Sequence, residues 1–407
     1  MPITGDNMMA VKRNNRSAAL RALHEEGSLS RKRLAESLRL TPAAITKIVG
    51  EMLGEGLLLE GSAVPSGSAG RSEILLEFNP RFGVALGVLI NLRQAIISAV
   101  WLDGSVIFSE EFALAPKAPA EETVAMLSAR LLSLAAEHRI ARESVIGLGI
   151  AVRGICSSDG RMVCDSFSAL AEANYPLCRR FEELTGFPAV MANNVRALFA
   201  AQMFLARDRA EGSQFFLRCE YGIGAALSID GKIWRGVSEQ CAEIGHIPVI
   251  PRGGKPCSCG KSGCLETIAS PAAIVEDALA ILSEEETPVL WKLCREKSPV
   301  PPDIDDVLNA ALGGDRGASA IVERAVSALG SALKSVIYLL DPDKIVLYGH
   351  MFENPYLLLR LLSEMREGVD TRHAVAIEKS RYNLCLEDKA ASLLAVQRFF
   401  DNGGVRP

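Results

Sequence analysis

Residues 257–266 read CSCGKSGCLE, which places three of the chain's ten cysteines within eight positions. Ten residues separate His246 from the first of them. His246, Cys257, Cys259 and Cys264 together offer one imidazole and three thiolates. That is a closed donor set of the structural-zinc type, with no position left for a reacting water. Glycines between the ligands allow the tight turns such spacing needs. A redox pair, or thiols that are simply buried, are the competing readings. The remaining cysteines are scattered through apolar segments, as small buried hydrophobes are. Ten in 407 residues is no secreted disulfide framework.

A second group of residues with chemical potential is cationic. Residues 11–47 carry nine Lys or Arg against three Glu, although the whole chain has a formal charge of -5. The overall balance argues against a protein wholly devoted to nucleic acid. It leaves room for a small DNA-reading module on an acidic body, because steering depends on local charge. Arg31, Lys32 and Arg33 open one short helix. Thr41, Pro42, Ala43, Ala44, Thr46 and Lys47 lie on the front of the next, with small residues where close approach to a groove is needed. Lys and Arg suit phosphates, Thr41 or Thr46 suits base edges, and Ala44 suits a thymine methyl. Arg71 sits in a Gly/Ser/Pro tip suited to a minor groove.

The elements that must hold these residues follow from capping and periodicity. A helix with Ala19, Leu20 and Leu23 is expected from about Asn15 to residues 25–27. Ser30 caps a helix through Leu38. Thr41–Pro42 is an N-cap followed by Pro at the first helical position. The helix they open buries Ile45, Ile48, Val49 and Leu53. Two short strands are expected at 57–60 and 72–78, around the tip. Three helices and a two-stranded wing make a winged helix-turn-helix over residues 1–78; the competing reading is a three-helix adaptor.

From residue 79 the pattern is α/β. Three strands come first, with a turn at Asp103–Gly104, and then a helix at about 120–138. The buried strand 145–155, an amphipathic helix and the strand PAVMANN follow, and then a helix at 195–206. A strand pair around Gly222 and Gly224, a helical region over 304–338, a strand at 343–350 and a last helix at 388–400 complete a second set. The expectation is a duplicated core over 79–407, with a cleft between its halves. Ile321, Ala325, Leu329 and Leu333 suit either core or a subunit interface. No apolar run is long enough to span a bilayer, and MPITGDNMMAVKRNNR lacks the apolar segment of a signal peptide. A cytoplasmic chain is expected.

EIGHIPVIPRGGKPCSCGKSGCLE, residues 243–266, resembles the signature of the ROK family (repressor, open reading frame, kinase). The resemblance extends to the wing tip SAGRSEILLEFNP, to DPDKIVLYG, and to an N-terminal module carried by the family's repressors and absent from its sugar kinases. It implies an actin-like, sugar-kinase-like fold and a zinc that shapes a sugar-binding loop. Asn193, Asn194, Glu243, His246 and Glu266 match positions that bind sugar hydroxyls in the family. Arg153, where the family has Pro, and Arg196 add positive charge suited to an acidic or phosphorylated sugar, or else pair within the protein.

The family's kinases also need a carboxylate base and glycine-rich phosphate loops. Asn194 falls on the base position, and an amide has no useful basicity. Leu89, Ile90, Asn91, Leu92 and Arg93 fall on the first phosphate loop, with its acid, both glycines and its Thr gone. The second loop keeps Gly222, Ile223 and Gly224 but carries Glu220 and Tyr221. The resemblance therefore implies no enzyme. It implies a repressor, a homodimer or dimer of dimers, that binds a palindromic double-stranded DNA operator and answers to a sugar or sugar derivative. The alternatives are a regulator answering to a protein partner and, behind it, an ATP-dependent sugar kinase.

Overall fold

The computed structural model describes residues 8–65, 72–164, 169–207, 212–297, 300–367, 375–383 and 385–406. The chain divides into two compact units: Met1–Arg209 with Leu386–Pro407, and Ala210–Cys385. Arg71 lies outside the described residues.

The first unit begins with α1 (Met8–Glu26), β1 (Leu29–Ser30), α2 (Arg31–Leu38) and α3 (Pro42–Gly54). β2 (Leu58–Pro65) and β3 (Ser72–Phe78) then pair antiparallel, with a bulge between Glu60 and Ala63, and β1 joins the other edge of β3. The caps fall where the sequence puts them. Ser30 Oγ accepts the Arg33 N–H at 3.3 Å, and Thr41 Oγ1 accepts that of Ala44 at 3.3 Å. Two expectations change. α1 starts seven residues before Asn15, since nothing in MMAVKRN breaks a helix. Met52 rather than Leu53 completes the buried face of α3, with Ile45, Ile48 and Val49.

The same unit holds a sheet in the order β6-β5-β4-β7-β8. Its strands are β4 (Val84–Ile90), β5 (Gln94–Trp101), β6 (Val106–Ala113), β7 (Val145–Val152) and β8 (Ala189–Asn193), joined by α4 (Ala120–Glu137) and α5 (Leu177–Thr185). β4 pairs antiparallel with β5 and parallel with β7. α6 (Asn194–Ala206) leaves the end of β8 directly. β4 is buried at every position, as a strand covered on both faces must be. Leu86, Val88, Leu148 and Ile150 pack with Leu127, Leu131 and Phe181 of α4 and α5. The alternate residues meet the helix that ends the chain. A Cβ on Gly149 would stand 1.7 Å from Ala391 O, so only glycine admits that helix at this depth.

The second unit repeats the pattern with the order β11-β10-β9-β12-β13. These are β9 (Ser213–Cys219), β10 (Ile223–Ile229), β11 (Lys232–Trp234), β12 (Lys344–Tyr348) and β13 (Ala376–Lys379). β9 pairs antiparallel with β10 and parallel with β12. Between them come α7 (Glu266–Ala269), α8 (Pro271–Ala280), α9 (Pro288–Lys297), α10 (Ile304–Leu312), α11 (Arg316–Leu340) and α12 (Pro355–Arg366). The helical region expected as one piece over 304–338 is two helices. Gly313 and Gly314 end the first, and Asp315 caps the second by accepting the Ala318 N–H at 3.0 Å. Ile321, Ala325, Leu329 and Leu333 all lie in the core of this unit. α13 (Glu387–Asp401) returns to the first unit. Among the described residues no helix is long and apolar enough to cross a membrane.

Candidate functional site

The four cysteine and histidine ligands come together in the second unit. His246 ends a 3-10 turn, Ile244–His246, that follows β11. A Cβ on Gly245 would fall 2.1 Å from Ile223 O, so this turn lies hard against β10. Residues 255–263 fold back on themselves: Cys257 N–H donates to Lys261 O at 2.8 Å and Gly263 N–H to Lys255 O at 2.9 Å. The metal-ligating atoms of His246, Cys257, Cys259 and Cys264 all lie within 4.8 Å of one another. Cys259 Sγ and Cys264 Sγ are 3.7 Å apart, and Cys257 Sγ is 3.5 Å from His246 Nδ1. Tetrahedral zinc with ordinary bond lengths requires about 3.75 Å between sulfurs and about 3.55 Å between sulfur and nitrogen. The donor set fits such an ion. Burial first, and then the neighbouring Cys259 and Cys257, push the Cys264 thiol up to about 12. Three clustered thiols ionise together only around a cation. The short Nδ1 distance leaves Nε2 as the ring nitrogen facing away from the sulfurs.

Glu266 stands beside this cluster and opens α7. Its Oε2 accepts the Ile223 N–H at 3.2 Å, and its Oε1 lies 4.0 Å from Cys257 Sγ. A Cβ on Gly222 would fall 2.3 Å from Oε2, so the carboxylate fills the space that glycine leaves in the β9–β10 turn. Glu243 is exposed and His246 half-buried.

In the first unit Asn193 caps α6, its Oδ1 accepting the Val195 N–H at 2.9 Å, while its Nδ2 donates to Gly154 O at 3.0 Å. That bond holds the Arg153–Gly154 loop, and Arg153 is half-buried. Asn194 is 4% exposed. Its Nδ2 donates to Asn91 Oδ1 at 2.9 Å and its Oδ1 accepts the Val195 N–H at 3.0 Å. Arg196 is buried in the first turn of α6. Both amides are therefore structural parts of the helix start; each keeps some capacity toward a ligand.

The two segments matched to the kinases' phosphate loops hold residues already engaged in ordinary hydrogen bonds. Asn91 N–H donates to Gln94 O at 2.8 Å in the short β4–β5 connection, and none of Asn91, Leu92 and Arg93 takes a positive φ. Glu220 follows β9, and its Oε1 accepts the His350 N–H at 2.7 Å. A carboxylate thus takes a backbone donor beside Gly349, and a phosphate arriving there meets negative charge. His350 Nε2 is 2.6 Å from Asp305 Oδ2; that carboxylate, foremost, raises the imidazole's pKa above its usual value.

On the N-terminal helices, Lys32, Arg33, Thr41, Pro42, Ala43, Thr46 and Lys47 are exposed, and Ala44 is half-buried. Arg31 pairs with Glu60 of β2 at 2.9 Å, which reduces its availability to a phosphate. Thr46 Oγ1 donates to Pro42 O at 2.8 Å, so toward a base it offers an acceptor and a methyl group. Three relationships escape sequence reasoning: the Asn91–Asn194 pair, Glu220 on His350, and buried His24 and Arg16 of α1. The last two lie on the apolar face of a helix, with no motif to mark them.

A model of the ROK family matches residues 93–385. The DNA-binding transcriptional dual regulator NagC of Escherichia coli (strain K12) is 29% identical over 356 residues, 87% of this chain and 84% of its own. Among solved structures, a ROK family transcriptional regulator, homolog of the E. coli Mlc protein, superposes with a TM-score of 0.79 at 23% identity. That match covers 97% of this chain and 98% of the regulator, so it includes most of residues 8–78. A ROK family glucokinase from Streptomyces griseus matches over its whole length but over 77% of this chain, with a TM-score of 0.64 at 22% identity. With the family model spanning well over half of its length, the chain belongs to the ROK family, and its similarity runs to the family's repressor branch.

Proposed function

We propose that the protein is a DNA-binding transcriptional regulator of sugar-metabolism genes whose operator affinity changes with a sugar-type effector, and that it is no kinase. The observation that carries this reading is the pairing of Asn194 with Asn91, an amide on the position matched to the kinases' base bonded to a side chain on a position matched to a phosphate-loop glycine. α1, α2, α3 and the β2–β3 hairpin serve as a winged helix-turn-helix. Lys32, Arg33 and Lys47 contact phosphates, the front of α3 reads the major groove, and Arg71 belongs to the wing. A two-fold pair of chains meets a palindromic duplex in the cytoplasm. His246, Cys257, Cys259 and Cys264 hold a structural zinc. Hydroxyl recognition falls to Glu243, His246 Nε2, Glu266, Asn193 and Asn194, with Arg153 and Arg196 favouring an anionic sugar.

Full-length protein is used to select duplexes from a random pool, and the selected duplex is titrated with and without glucose, xylose, N-acetylglucosamine and the hexose 6-phosphates. A sugar that shifts both melting temperature and duplex affinity supports the reading. The prior engagement of both Asn193 and Asn194 in protein hydrogen bonds favours a second one, a regulator that answers to a protein partner. That reading gains if duplex binding is intact and no sugar moves the melting temperature.

A further inference from the structure

The N-terminal helices are fastened to the rest of the first unit at two buried points. His24 of α1 is 5% exposed, and its Nε2 lies 2.8 Å from the carbonyl oxygen of Phe204, in the last turn of α6. A carbonyl cannot donate, so Nε2 carries the ring proton. The imidazole also stacks on the Phe204 ring, with centroids 4.0 Å apart, and meets Phe400 of α13 edge-on at 5.9 Å. Arg16, one face of the same helix, is 3% exposed. Its Nε donates to Gly403 O at 2.7 Å, just beyond α13, and its guanidinium pairs with Glu55 at the C-cap of α3.

α6 therefore has chemistry at both ends. Its N-terminus is Asn193–Asn194, and its C-terminal carbonyl holds His24. Thirteen residues at an ordinary helical rise span about 20 Å. The helix is buried almost throughout and braced by α13, where Gln397 Nε2 donates to Ala200 O at 2.8 Å. A packed helix of this kind moves as a body rather than absorbing displacement along its length.

We propose that α6 transmits effector occupancy to the DNA-reading helices, with His24 as the positioning residue through which the helix end acts on α1 and, through Arg16 and Glu55, on α3. This rests on the reading that Asn193–Asn194 contacts an effector. A ligand that draws on the Asn194 amide competes with Asn91 and Val195 for it, and so shifts the start of α6. The shift reaches α1 because a directional hydrogen bond and a ring stack join Phe204 to His24. Two arrangements of that joint give the differential affinity that any such coupling requires.

The test uses the full chain and the sugars named above, with His24→Leu and His24→Gln. Leu keeps the buried volume and loses the donor; Gln keeps an N–H to give. Calorimetry should give unchanged sugar affinity in both variants. The sugar-dependent change in duplex affinity, expected to be about fivefold or more in the parent chain, should vanish in His24→Leu and return in His24→Gln. A full change in His24→Leu overturns the proposal. If that variant fails to fold, hydrogen exchange in the parent chain decides: sugar must alter protection at residues 16–26, and unaltered protection overturns it. Absence of any sugar-induced melting shift in the parent chain defeats the sensor reading itself, and this inference with it.

Discussion

Asn194 Nδ2 donates to Asn91 Oδ1 at 2.9 Å, joining the start of α6 to the end of β4. Two carboxylates at that distance would share a proton or repel, whereas two amides bond. One hydrogen bond thus joins the amide on the position matched to the kinases' base to a side chain on a position matched to a phosphate-loop glycine. The chain is expected to show no sugar-dependent ADP release. Asn194→Asp alone should not create it, because the 91–93 turn offers no glycine-rich cradle. Sugar-dependent ADP release by either protein, in a coupled assay, would overturn this account.

The metal cluster predicts about one zinc ion per chain by elemental analysis. Cys264→Ser removes a buried ligand and should lose most of the metal, with a melting temperature lower by several degrees. Chelation of the parent chain should reproduce that fall. Full stability without zinc would leave the four side chains as mere neighbours.

His24 gives a pH dependence. Burial is the main cause that holds its pKa below the usual histidine value. The Phe204 carbonyl and Asp103 oppose it, while Arg207 and Arg21 reinforce it. A base whose folded-state pKa is depressed binds protons more readily when unfolded. Its neutral form therefore favours the native state above about pH 6.5, and stability falls as the pH drops below that value. Chemical denaturation between pH 7 and pH 5 should show the decline, and His24→Gln should flatten it.

Lys32 is exposed at the start of α2, where a phosphate contact carries no sequence information. Lys32→Ala should weaken all duplexes alike and lower the salt slope of binding by about one. A loss confined to one sequence would instead make it a base reader.

Gly149→Ala tests the packing of α13. The added methyl meets the backbone oxygen of Ala391 at 1.7 Å, where no flexible side chain can turn aside. A loss of about 1–3 kcal/mol or more is expected, read from urea midpoints. An unchanged midpoint would mean that α13 does not lie as deep as described.

What was legible in the sequence is what local rules govern. Ser30 and Thr41 announce helix starts because a hydroxyl at an N-cap has one clear job. The cysteine spacing announces its cluster because ligands must converge. Short apolar runs bounded by turn residues announce the central strands of both sheets. Local rules are silent on Arg16, whose partner Gly403 is 387 positions away. They are also silent on Asn193, which reads as a ligand-binding amide and turns out to cap a helix as well. The break at Gly313–Gly314 was visible in principle: two glycines and an Asp are a stop and a start. The apolar periodicity on either side outweighed them.

The position of α13 in the chain has a consequence for synthesis. The sheet of the first unit is complete in sequence by Asn193, yet the helix that covers its Gly149 face comes only after the whole of the second unit. A ribosome must therefore deliver the N-terminal helices before the second unit and their anchor after it. A message cut short anywhere in between yields basic helices without the Phe400 and Gly403 contacts that seat His24 and Arg16. Such a fragment leaves that face of the sheet uncovered, so synthesis through α13 is the condition for seating the N-terminal helices.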